Sequence, residues 1–302
     1  ATFYTPTMSV HDNTTSKAEL EKIAEEVMEK LKDQNILIII GGSEANSVLG
    51  KEIIFRHFSQ GYLDHRNYNL LYKTFGDLPE YIAVHLLLIL RGIHVPLDDI
   101  ASYIQVINTK HGYNAIRSED IVWASSVFWL NPILYRSIES FYTYLFWGQT
   151  QSPIPHFSVG EARYMPLIRM GLTPFGLTYY LDNYVSYQAR TFLASFQLGS
   201  SPFYTRPYGG LQLRTDRLWS YQDFYRLGVE AHIWHQPKLL MQPNDTVEDK
   251  NYWGGLLGLD NQFRVSEHFS LNATVLYKTP GFVEGVEAAG GLLWRAGLTL
   301  HY

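Results

Sequence analysis

The sequence predicts an α+β protein: a mainly helical first half, residues 1–150, followed over residues 160–302 by a small antiparallel β-barrel of about eight strands. Three observations predict it. The hydrophobic period changes from about 3.6 to 2 near residue 150. Alternating segments of roughly 10–12 residues then recur about seven times before the chain stops. Aromatic residues make up 15% of the chain, with 22 Tyr and 7 Trp.

In the first half, residues 1–14 read as an extended Thr-rich lead-in. Thr14 to Lys32 has helical spacing, with Leu20, Ile23, Ala24, Val27, Met28 and Leu31 on one face and Ser16 and Glu19 placed as a capping box. Asn35–Ile40 reads as a short buried strand or a helix end, broken by Gly41-Gly42-Ser43, and Val48–Ser59 resumes helical spacing. Asp64–Phe75 is polar and Tyr-rich. Pro79 is expected to open an apolar helix over Glu80–Gly92, whose run is too short to cross a bilayer and carries Arg91, so it reads as a core helix. Leu97–Ile107 and Ser118–Leu130 are further helices, with a break at Asn131-Pro132. Ile133–Trp147 is aromatic-rich and fits either helix or strand. Residues 148–160, rich in Gly, Pro, Ser and Gln, form the linker between halves.

Beyond it the expected strands are Arg163–Leu172, Tyr184–Leu198, Tyr208–Arg214, Phe224–Trp234, Tyr252–Phe263, His268–Lys278 and Gly290–Tyr302. An eighth strand is available from Ile133–Trp147 or Gly176–Asn183. Successive strand side chains point to opposite faces. One set of faces is therefore apolar: Tyr225, Leu227, Val229 and Ile233; Phe269, Leu271, Val275 and Tyr277; Leu292, Trp294, Leu298 and Tyr302. The reverse faces hold Arg163, Arg169, Arg190, Arg214, Arg226, Glu230, Asp260, Arg264, Lys278 and Arg295, in or beside strands.

The last stretch, with its alternating Leu292, Trp294, Leu298 and Tyr302 and its aromatic end, resembles the closing strand of bacterial outer-membrane β-barrels. That resemblance covers the second half only. It implies a transmembrane barrel in the outer membrane, a terminal aromatic acting as an assembly signal, and lipid or lipopolysaccharide as the surrounding partner. The apolar faces are then expected to meet lipid. The charged faces are expected to meet one another inside, because Lys or Arg facing lipid costs ~2–4 kcal/mol at mid-depth. The helical half is expected on the periplasmic side or packed on the barrel, free to contact other envelope proteins. The start Ala1-Thr2-Phe3-Tyr4 reads as an end left by signal cleavage.

A formal charge of −5 gives no basic footprint for nucleic acid, and the absence of Cys excludes disulfides and thiolate metal sites. No metal or cofactor is expected. Glu52, His57, Asp64 and His65 cluster in sequence without an HExxH spacing, and Glu52 and His57 do not share a helix face. His232 and His235 point to opposite faces of a strand, so they make a poor metal pair. His85 and His94 read as core histidines. Gly41-Gly42-Ser43 lacks the spacing of a nucleophile elbow or a phosphate loop. The leading expectation is an integral outer-membrane protein with a structural, transport or assembly role. An outer-membrane enzyme acting on lipid or lipopolysaccharide is the first alternative, and a soluble two-domain partner-binding protein the second.

Overall fold

A computed structural model describes residues 32–93, 98–111, 116–200, 206–222, 224–242 and 245–300. The helix expected over Thr14–Lys32, except for Lys32 itself, the core histidine expected at His94 and the terminal Tyr302 lie outside them. The first described element is one long helix, α1 (Lys32–Phe58). It runs straight through Asn35–Ile40 and Gly41-Gly42-Ser43, correcting the expected strand and break. Each interior Gly costs about 1 kcal/mol relative to Ala. Burial of Ile36, Ile40, Ile54, Phe55 and Phe58 along one side of α1 outweighs that cost. Gly50 has a different reason to be glycine: a Cβ there would come within 2.9 Å of the Phe75 ring, where the next helix crosses.

That helix, α2 (Tyr68–Leu90), begins well before Pro79, which sits inside it rather than at its start. Pro removes one backbone donor, but buried Leu71, Phe75, Leu78 and Ile82 hold both sides of it against the core. Then come α3 (Asp99–His111), α4 (Ser118–Ser125) with a 3-10 turn over Ser126–Leu130, and α5 (Pro132–Trp147). The Asn131 side chain caps α5 by accepting from the Ile133 and Leu134 amides, and Gly148 at φ 67° ends it. The aromatic stretch is thus a helix.

The linker carries two short strands. β2 (Gln151–Pro153) pairs with β1 (Tyr62–Asp64), and β3 (Phe157–Val159) enters the main sheet. The long strands are β4 (Ala162–Thr173), β5 (Gly176–Tyr187), β6 (Arg190–Ser200), β7 (Tyr208–Tyr221), β8 (Tyr225–Pro237), β9 (Asn251–Ser266), β10 (Phe269–Lys278) and β11 (Gly291–Leu300). Together β3 to β11 form a nine-stranded antiparallel sheet in which each strand pairs with its sequence neighbour. The stretch expected as one strand, Tyr184–Leu198, is two, because Gln188 and Ala189 take positive φ in a two-residue hairpin turn. Among the described residues no pairing joins β3 to β11.

Of the helical elements, α1 packs against β4, β5 and β6, and the 3-10 turn after α4 packs against β4, whose Met170 and Leu172 join the same apolar core. Two apolar clusters fill the seam, one around Ile40, Tyr103 and Phe175 and one around Phe58, Tyr68 and Tyr184. A buried ion pair anchors the start of α1: Lys110 Nζ donates to Asp33 Oδ1 at 2.6 Å and to the Pro174 carbonyl at 2.9 Å. The other Asp33 oxygen accepts from the Leu240 amide.

Candidate functional site

Strand alternation and the observed register put Arg163, Arg169, Arg214, Arg226, Glu230, Asp260, Arg264, Lys278 and Arg295 on one face of the sheet, the face toward the helices. Arg169, Arg214 and Glu230 are brought together there, and their partners come largely from outside the strands. The Arg169 side chain is 2% exposed. Its Nε donates to Asp182 Oδ2 at 2.5 Å, and its Nη1 and Nη2 grip Glu284 at 2.6 and 2.9 Å. Nη1 also reaches Ser47 on α1, and the guanidinium lies over the Tyr180 ring.

Glu284 accepts a second cation, Lys51 of α1, at 3.2 Å, and Lys51 also donates to Gln212. Gln212 passes the network to Glu230, which accepts from His232 at 2.6 Å. Arg214 completes it by donating to both oxygens of Glu52 on α1, at 2.5 and 3.3 Å. The charged strand face therefore meets a polar stripe of α1 and a loop carboxylate rather than only itself, a correction to the expected strand-to-strand network. A bidentate Arg between two carboxylates is the strong form of charged hydrogen bonding. Burial alone pushes the Glu284 carboxyl up, but Arg169 and Lys51 outweigh it and hold it well below the usual range.

Glu44, one helical turn before Ser47, stands beside this network without a cation of its own. Its Oε1 accepts the Gly285 amide at 2.6 Å. Burial pushes its pKa up to about 6 against that bond, with help from the Glu284 charge. A folded-state pKa above the unfolded one means Glu44 opposes folding once it is ionised in both states, by about 2 kcal/mol above pH 6, and stops doing so below about pH 4.5. Glu44→Gln is accordingly expected to raise stability by about 2 kcal/mol at pH 8 and to leave it unchanged near pH 4. Denaturant titrations of both proteins at the two pH values check this, and an equal change at both would refute it.

The other expected charges are placed separately, and Arg190, expected on the inward face, is exposed on the open one, because β6 turns its odd-numbered side chains inward. Lys278 is buried and donates to the Gly281, Glu287 and Ala288 carbonyls, which folds the loop before β11. Arg295 reaches the Gly285 carbonyl of the same loop. Asp260 accepts from Thr274, Arg264 bonds the Ser266 carbonyl, and Arg226 lies opposite Ser220 and Gln262. Arg163 lies against Gly61, a left-handed glycine between α1 and β1.

The set expected to face lipid falls on the opposite, open face. Ile233, Leu271, Val275, Tyr277, Leu292, Trp294 and Leu298 are exposed, and Tyr225, Leu227, Val229 and Phe269 are half-buried among neighbours. His57 bonds Gln60 and Asn67, Asp64 pairs with Arg66, and Ser43 bonds back to the Ile40 carbonyl. No group of three metal-ligating side chains occurs among the described residues. His232 and His235 point to opposite faces, the first to Glu230 and the second against the Trp253 ring, tilted at 31°.

Lys51, Glu52, Ser47, Asp182 and Glu284 were not singled out by their sequence pattern as network members. The helical spacing of Glu44, Ser47 and Lys51 is a signal that points to one shared face. Nothing local marks Glu284. Comparison with known proteins finds no matching family model, curated protein or solved structure.

Proposed function

We propose that this chain is an integral outer-membrane protein whose long strands wrap into a small barrel around the polar stripe of α1. Its open sheet face meets lipid or lipopolysaccharide, and its role is structural or in transport or assembly at the envelope. The observation that carries the reading is a sheet with its strand charges on one face and a band of exposed apolar side chains on the other. The charge-bearing face is covered by α1 over β4 to β6, where Met165, Leu167, Tyr184 and Leu193 pack beside Arg169, while the opposite face is open and apolar over β10 and β11: Leu271 is 42%, Val275 44%, Trp294 76% and Leu298 67% exposed. A sheet that folds in water buries its greasy face. An outward apolar band with a polar interior is the arrangement a lipid solvent selects.

The helical half packs on the sheet's polar face, which supports its placement on the barrel over a detached periplasmic module. With α1 occupying that face, an assembly or structural role is better supported than conduction through an open pore. No described helix is long and apolar enough to cross a membrane, and in this reading it is the strands that would do so. Helix surfaces with exposed Trp129, Phe146 and Trp147 are available for other envelope proteins or the lipid boundary. The test is reconstitution into vesicles containing brominated acyl chains. Fluorescence quenching that falls when Trp294 is replaced by Phe is expected. A protein that stays monodisperse in buffer without detergent, unquenched by the vesicles, sinks the reading.

A further inference from the structure

A second cluster lies in the helical half, away from the charged seam. His85 of α2 is buried, and its ring is held from both sides. Its Nδ1 faces Asp98 Oδ2, and its Nε2 is 2.9 Å from the hydroxyl oxygen of Ser118. Asp98 is itself fixed: its other oxygen accepts the Ile100 amide at 3.0 Å and the Ala101 amide at 3.4 Å at the start of α3. Ser118 is the first residue of α4 and is partly exposed, while His85 and Asp98 have side chains only 5% and 13% exposed. A reachable hydroxyl, a buried imidazole and a pinned carboxylate in line are the parts of an activated serine. A structural tie between helices needs only the His–Asp contact; it gives no reason for a hydroxyl on the remaining ring nitrogen.

We propose that Ser118, His85 and Asp98 form a serine esterase centre. Ser118 Oγ attacks the ester carbonyl carbon as His85 Nε2 takes its proton, and the carbonyl π pair moves onto oxygen. At the start of α4 the Asp120 and Ile121 amides bond the Arg117 carbonyl, so the donors assigned to that oxygen are the Ser118 and Glu119 amides ahead of them. The carbonyl re-forms as the ester C–O bond breaks, and the alcohol leaves with the proton from His85. Water then attacks the acyl-Ser118, giving its proton to His85, and the acid departs as Ser118 recovers its own. Asp98 acts as a positioning residue that fixes the imidazole tautomer. Exposed Ile89, one turn beyond His85, and exposed Trp123 on α4 present apolar surface along the same two helices. The substrate class is therefore an ester with a long acyl chain, and its presentation in a lipid layer rests on the membrane reading above.

The test uses the full chain in detergent and in vesicles, with a fluorophosphonate probe and two substrates, p-nitrophenyl butyrate and p-nitrophenyl laurate. Stoichiometric labelling at Ser118 is expected, lost in Ser118→Ala. Hydrolysis is expected to fall at least about a thousandfold in Ser118→Ala, with an unchanged thermal melt, and as far in His85→Gln, whose melt is lower because it also loses the buried contact to Asp98. Asp98→Asn is expected to lower kcat with KM little changed, which a merely structural carboxylate would not do. Absence of labelling in folded protein overturns the centre. Cleavage of butyrate but not laurate overturns the acyl-chain assignment. A chain that labels at Ser118 yet needs no detergent leaves the esterase standing and removes the membrane.

Discussion

Arg169→Leu is expected to destabilise the protein by about 3–5 kcal/mol, because it leaves two buried carboxylates without their shared cation. Asp182 is fully buried and Glu284 nearly so, and both bond Arg169 directly. The remaining cation near Glu284 is Lys51, a single ammonium that also serves Gln212. Arg169→Lys is expected to recover only part of the loss, since a point charge cannot span Asp182, Glu284 and Ser47 as a planar fork does. Urea titrations in a common detergent check both variants. A loss below about 1 kcal/mol for Arg169→Leu would show that the pair is replaceable by apolar packing, as some buried pairs are.

Leu259→Arg is the second large effect. Leu259 is exposed, sits in the middle of β9 and lies between Val229 on β8 and Val275 on β10. In a bilayer an Arg there would stand near mid-depth and cost about 2–4 kcal/mol. In water the same exposed substitution stays within about 0.5 kcal/mol. Folding free energies of wild type and variant in vesicles separate the two solvents. A near-zero difference would mean the open face does not meet acyl chains.

How much of this was legible can be judged strand by strand. Tyr225–Ile233, Phe269–Tyr277 and Leu292–Leu298 alternate cleanly, so their opposite faces were readable from the residues alone. The hairpin between β5 and β6 was missed because Gln188 and Ala189 are not the residues that usually announce a left-handed turn. Gly41-Gly42 misled in the other direction: glycines in a row read as a break, yet packing kept them helical. Of the esterase centre, His85 stood out only as a core histidine. Asp98 and Ser118 gave no spacing signal, because three separate helices bring the group together.

Residue order by itself determined the α+β division, the antiparallel character of the second half and which strand side chains share a face, since alternation and period follow from backbone geometry. The tertiary structure alone decided what the charge-bearing face meets. Arg169 on β4 finds Ser47 and Glu284, Arg214 on β7 finds Glu52, and Lys51 of α1 finds Glu284, all across long sequence separations. Pairing of that kind depends on where a helix comes to rest on a sheet, which no local propensity encodes.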